Sequence, residues 1–196
     1  MDQLRDILWE IKQLKQQLIV ELQKKQEDFF YDIKGKKVYF EKATKRYHRT
    51  LTIRMHAYLL DASLLNVVTV PFIYGCFFPA IFLDLVVSVY QAVCFRIYGI
   101  PRVERKDYIV IDRHSLSYLN IIEKINCVYC GYFNGLIGYV MEIAARTEQY
   151  WCPIKHARRV AALHERYDKF LEYGDGKAYR DRLEELRRDF DDLGGQ

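Results

Sequence analysis

Apolar side chains recur at steps of three and four near the start of the chain, at Leu4, Ile7, Leu8, Ile11, Leu14 and Leu18, and no Gly or Pro occurs before residue 30. This spacing puts them on one face and predicts an amphipathic helix over 1–30. Asp2 is its cap, Asp6 lies near its positive end, and Lys24 and Lys25 lie toward its negative end. Such a stripe packs within its own chain or pairs with a second helix in a coiled coil. Self-association through Leu4 to Leu18 is the partner expected. The charged leader and small-residue cleavage site of a signal peptide are missing.

The pattern changes at Ala62. From there to Leu83 no residue is charged, and after Asp84 the apolar run continues to Phe95. These 34 residues exceed the roughly 20 that cross a bilayer as a helix, and Pro71, Gly75 and Pro79 break the middle of the run. Both flanks are basic: Lys34 to Arg54 upstream, and Arg96, Arg102, Arg105 and Lys106 downstream. If Lys and Arg prefer the cytoplasmic side, the chain enters and leaves the membrane on one face, as a hairpin turning near Gly75 to Pro79. A single kinked span and a helical pair buried in a soluble protein are the alternatives. Asn66, Thr69, Ser88 and Gln91 would be tolerable in the latter. Asp84 either marks a functional position inside lipid or reaches water at an interface.

Beyond Pro101 the pattern is that of a soluble chain. Tyr108 to Ile111 reads as a short strand. Leu116, Leu119, Ile122 and Ile125 read as a helix capped by Ser115, which NCVYCGYFNG (126–135) then interrupts. Helical spacing resumes from Asn134 and Gly135 to Trp151. Pro153 starts a further helix that stops at Gly174, and a charged helix follows to the Gly-Gly end. The fold class expected is mainly α. It divides into an amphipathic or coiled-coil helix (1–30), a basic juxtamembrane segment (31–61), a membrane hairpin or span (62–95), a soluble helical Cys/His domain (96–174) and a charged C-terminal helix (175–196).

Composition sharpens this picture. Hydrophobic residues make up 51% and charged residues 29%, so the two must be segregated along the chain. The net charge of +4 is concentrated in the basic stretch, where tyrosines are interleaved. Basic and aromatic residues together bind single-stranded nucleic acid in some folds. Next to an uncharged run they suit anionic headgroups and the polar boundary of a bilayer, so membrane lipid is expected and nucleic acid is not.

The cysteines supply the candidate chemistry. Cys127 and Cys130 form a CxxC followed by Gly131, the pattern of a metal knuckle. Twenty-one residues separate Cys130 from Cys152, and His156 follows Cys152 four positions later, one helical turn on. Cys127, Cys130, Cys152 and His156 therefore make a Cys3His set suited to zinc, with iron or an iron-sulfur cluster as the alternative. A redox dithiol and simple packing also remain open. Cys76 and Cys94 are read as apolar packing residues. Around the cysteines lie Asp112, Arg113, His114, Asn120, Glu123, Asn134, Glu142, Arg146 and Glu148. Of these, Glu142 and Arg146 are spaced for an intrahelical ion pair. The Glu-x-x-His spacing of di-iron proteins, a Walker loop, a dinucleotide fingerprint and a Gly-x-Ser-x-Gly elbow are all missing.

The run from Asp112 to Ala157 resembles segments of uncharacterised bacterial membrane-associated proteins. The resemblance implies a unit in which the four candidate ligands occur together, and it brings no activity with it. The function expected is a membrane-anchored, metal-binding protein with a structural or partner-recruiting role, its soluble part facing the cytoplasm. A membrane-associated redox protein is the second reading.

Overall fold

The computed structural model describes residues 2–28, 31–34, 37–158, 160–161 and 163–193. The fold is mainly α. In chain order come α1 (Asp2–Asp28), β1 (Tyr31–Lys34), β2 (Lys37–Phe40), α2 (Lys42–Thr50), α3 (Met55–Asp61), α4 (Leu64–Gly75), α5 (Phe77–Tyr90), α6 (Arg96–Tyr98), α7 (Arg105–Tyr108), α8 (Ile121–Trp151) and α9 (Gly176–Leu186). Met1–Asp61 with Asp112–Val128 form one compact unit, and Ala62–Ile111 with Tyr129–Gln196 form a second.

In the first unit α1 is the helix that the apolar stripe predicts, and Trp9, Leu14 and Leu18 stand exposed on it. The side chains of Leu4, Ile7 and Leu8 lie outside the described residues. The basic segment holds an antiparallel hairpin that periodicity at helical spacing does not reveal. Tyr31 pairs with Phe40 and Ile33 with Val38, and the two rings of the first pair meet at 5.6 Å. Just beyond α2, the Thr52 hydroxyl donates to the Ser117 carbonyl at 3.0 Å and ties the 112–120 loop to the hairpin side of the unit.

Three sequence expectations change along the rest of the chain. The first concerns 62–98. Leu64 to Tyr98 is a single bent rod of 35 residues, and no hairpin forms. At its joint Cys76 keeps helical angles (φ −63°, ψ −15°), and its N–H bonds back to Ile73, so the turn tightens and the chain does not reverse. Pro79 falls in the first turn of α5, where its missing N–H does least harm, and Pro71 lies one turn before the joint. The rod continues through a π-helical turn, Gln91–Phe95. It ends at Gly99, whose positive φ of 70° and the Ile100 to Phe95 backbone bond make a Schellman cap.

The second change is at the cysteine motif. NCVYCGYFNG does not interrupt a helix; it lies inside α8, which runs unbroken for 31 residues. The cap is Asn120 rather than Ser115: its side chain accepts from the Glu123 N–H at 3.0 Å, and Glu123 accepts from the Asn120 N–H at 2.8 Å, a capping box. The glycines that read as breakers serve close packing. Tyr108, which ends α7, and the non-helical Ile109 and Val110 that follow it in no sheet lie against α8 along Gly131, Gly135 and Gly138. A Cβ on Gly135 would stand 2.5 Å from the Tyr108 carbonyl oxygen.

The third change follows Trp151. Among the described residues, the helix expected from Pro153 to Gly174 is absent. Leu171 donates to the Pro153 carbonyl and Lys155 to that of Leu171, at 2.8 and 2.7 Å, so Ile154 and Leu171 are joined by a strand-like bridge, with one 3-10 turn at Glu165–Lys169. The charged C-terminal helix forms as α9, capped by the Asp175 side chain on the Ala178 N–H at 2.8 Å, and stops at Leu186. Residues 194–196 lie outside the described residues.

The rod and α8 run in the same direction: Ile73 meets Tyr129, Tyr90 meets Thr147, and Tyr98 stacks on Tyr150. Between them sits the core, with Ala80, Phe95, Val103, Leu136, Tyr139 and Ile143 buried.

Candidate functional site: an apolar helix backed by buried polar groups

Leu64–Tyr98 is long and apolar enough to cross a membrane, and only 6% of its most apolar 18-residue stretch is buried. A core helix of a soluble protein would be covered, but this one is not. On α4 the exposed side chains point in every direction, from Leu64 and Leu65 through Val67 and Val68 to Phe72 and Ile73, and no residue of α4 is buried. On α5 and beyond they narrow to a stripe at Phe78, Phe82, Leu85, Val89, Val93 and Ile97, spaced by three and four.

The opposite side of α5 is where the polar residues of the rod find partners. Asp84 accepts from Arg105 at 2.7 Å and from the Tyr132 hydroxyl at 2.9 Å, with Ser88 at 3.4 Å. The hydrogen bond to Asp84 comes first among the influences that raise the Arg105 pKa, so that guanidinium is firmly charged. Two helical turns further, at the start of the π-turn, Gln91 is buried. Its oxygen accepts from the Val103 N–H at 3.1 Å, and its amide nitrogen donates to the Val103 carbonyl and to the Tyr139 hydroxyl. An amide side chain that satisfies both backbone groups of one residue holds the returning segment as a neighbouring strand would. Tyr108, on that segment, has its pKa raised by burial and then by the charge of Glu142.

The far end of α8 carries a second polar cluster. The expected Glu142–Arg146 pair forms at 2.7 Å, and Arg146 also donates to the Pro101 carbonyl at 2.8 Å. Buried Arg166 reaches Glu142 at 3.2 Å and the Gln149 side-chain oxygen at 2.9 Å, and lies over the Phe190 ring at 5.2 Å. The Gln149 amide in turn donates to the Leu186 and Asp189 carbonyls at 3.0 and 2.7 Å. The hydrogen bonds of Gln149 and Arg166 fasten the 3-10 turn and α9 to the end of α8. Glu148 meets His164 at 3.0 Å. Burial raises the carboxyl pKa of Asp192, but the hydrogen bond from Lys169 and the positive charges of Arg166 and Lys169 outweigh it and hold the carboxyl below its ordinary range.

The four candidate metal ligands do not converge. Cys127 and Cys130 are one turn apart on α8, and Cys152 lies just past its last residue. Between Cys130 and the end of the helix the axis advances about 30 Å at 1.5 Å per residue. His156 is not on a helical turn with Cys152; its ring stacks on Tyr167, with centroids 6.3 Å apart. Among the described residues no three His, Cys, Asp or Glu side chains gather closely enough to hold an ion. A Cys3His centre would require α8 to break between Cys130 and Cys152. Of the other polar residues singled out by sequence, Asn120 and Glu123 cap α8, Asn134 donates to the Cys130 carbonyl at 2.9 Å, and Glu142, Arg146 and Glu148 are in the cluster just described. Sequence reasoning missed Gln149 and Arg166. Glu142, Arg146 and Gln149 share one face of a largely apolar helix, and that polar stripe was the available signal.

No protein-family model, no curated protein and no solved structure matches this chain, so its function is read from this geometry.

Proposed function

We propose that this is a membrane-bound protein with a structural or partner-recruiting role, held by Leu64–Tyr98 lying in one leaflet. The observation that carries the reading is the bare apolar surface of that rod. Each Phe or Leu moved from water into hydrocarbon contributes about 1.5–3 kcal/mol, and Phe72, Phe78 and Phe82 are all more than two-thirds exposed. Immersion in a single leaflet is supported by chain connectivity. Thr52 and Ser117 share a hydrogen bond, so the chain that leaves at Ala62 has come back by Asp112. A full crossing would oblige the return segment, with Arg102, Glu104, Arg105, Lys106 and Asp107, to cross as well, at a high desolvation cost. Basic residues on both flanks of the rod fit a single face, turned toward anionic headgroups. Helix α1 supplies the recruiting element. Its apolar stripe is exposed at Ile11, Leu14 and Leu18, and a second copy of the chain is the partner that the stripe suits best.

The test uses two single-cysteine proteins, Thr50→Cys and Lys106→Cys, in a background with Cys76, Cys94, Cys127, Cys130 and Cys152 all changed to Ser. Each is reacted in sealed membrane vesicles with an impermeant maleimide. Labelling of both from the same side is expected. Labelling from opposite sides replaces the single-leaflet reading with a crossing, and recovery of the protein in the soluble fraction removes the membrane reading altogether.

A further inference from the structure

The first unit contains a cavity of about 440 Å³ that the membrane reading does not use, within the size range of small-molecule sites. Its wall is aromatic. Tyr31 and Phe40 from the hairpin, His48 from α2 and Tyr118 from the 112–120 loop line it, with His48 set edge-on between Phe40 (5.3 Å) and Tyr118 (5.1 Å). The His48 Nδ1 atom is shielded from solvent and has no hydrogen-bond partner. Two adjacent residues of opposite charge complete the lining: Asp112, half-buried, and Arg113, exposed at the rim. Among the described residues neither side chain has an ionic or hydrogen-bonding partner.

These groups select by charge. Ring faces carry negative potential and bind alkylated ammonium groups, as aromatic cages do. A half-buried carboxylate without a partner adds to that preference, because it is costly to keep dry and unpaired. A simple anion would be opposed by Asp112, and a neutral ligand would leave both charges unmatched. A dipolar ligand satisfies both: its cation sits among the rings beside Asp112, and its anion meets Arg113. We propose that this cavity binds a zwitterion in which an alkylated ammonium is joined by a short linker to a phosphate, either as a free metabolite or as the headgroup of a lipid.

The experiment is calorimetric titration of the full chain in a maltoside detergent with phosphocholine, using choline and inorganic phosphate as the separate halves. Phosphocholine is expected to bind at least tenfold more tightly than either half. Asp112→Asn and Tyr118→Leu should weaken it tenfold or more, and Arg113→Gln, at an exposed position that leaves folding intact, should bring phosphocholine down to the affinity of choline. Phosphatidylcholine vesicles separate the sources. Competition between vesicles and free phosphocholine for the protein points to the headgroup, and indifference to vesicles points to the free compound. Absence of phosphocholine binding, or binding no tighter than inorganic phosphate and unaffected by Asp112→Asn, overturns the proposal.

Discussion

The two halves of the bent rod are built from nearly the same residues and meet opposite surroundings. Before Cys76 the helix has no buried side chain, whereas after it Ala80, Gln91 and Phe95 are buried against α8 and the returning segment. Hydrophobicity does not distinguish them, since both are apolar throughout. The difference lies in a few polar groups. Asp84, Ser88, Tyr90 and Gln91 occur only in the second half, and each has a protein partner. In a helix this apolar, polar side chains bonded to other segments mark the side that faces protein, whereas Thr69 in the first half bonds only to the Asn66 carbonyl of its own turn.

The comparison can be broken most forcefully at the supports behind the packed half. Arg166→Ala leaves Glu142 and Gln149 short of a buried partner, and loss of one member of a buried charged network costs about 3 kcal/mol. Chemical denaturation in detergent should show that loss, with the 3-10 turn and α9 released first in hydrogen exchange. A smaller and sharper contrast comes from two glycines. Gly135→Ala drives a Cβ into the Tyr108 backbone and is expected to destabilise by about 2 kcal/mol. Gly75→Ala meets nothing within 4 Å, and should stabilise the bare half by about 0.5–1 kcal/mol through helix propensity. Equal effects at the two positions, read from thermal melts, would erase the distinction between the halves.

The smallest expected effect is that of pH. Because the folded state holds the Asp192 carboxyl low, its contribution is complete above the unfolded pKa of about 3.9 and fades as pH falls through the lower folded value. Lys169→Met, which removes the hydrogen-bonding partner, should flatten the acid limb of a stability profile below that point.

Sequence periodicity found α1, the apolar rod and the α9 region, because each shows its pattern locally. It failed where tertiary contacts decide. Gly131, Gly135 and Gly138 look like breakers until a second segment is seen lying on them, and no local rule reveals that segment. The stretch after Pro153 carries a valid helix-start signal, but the backbone bonds between Pro153, Lys155 and Leu171 override it. The β-hairpin had a legible cue, Gly35 between Tyr31/Ile33 and Val38/Phe40, which the surrounding lysines masked. For the site, the expected Glu142–Arg146 pair and the odd position of Asp84 were legible. Spacing alone suggested four converging ligands, because a CxxC reads alike in a turn and in a helix. Buried Gln149 is marked only by sharing a face with Glu142 and Arg146, and buried Arg166 carries no sequence mark that separates it from surface residues.

The π-turn at Gln91–Phe95 has a consequence for how the chain tolerates change. An α-helix rotates about 100° per residue, so one extra residue in a turn re-phases everything that follows by that angle. Shortening this turn by one residue would leave composition and hydropathy almost untouched, yet it would spin Arg96 to Tyr98 away from Tyr150 and Trp151 and unseat the left-handed glycine behind them. Here residue count matters more than residue kind.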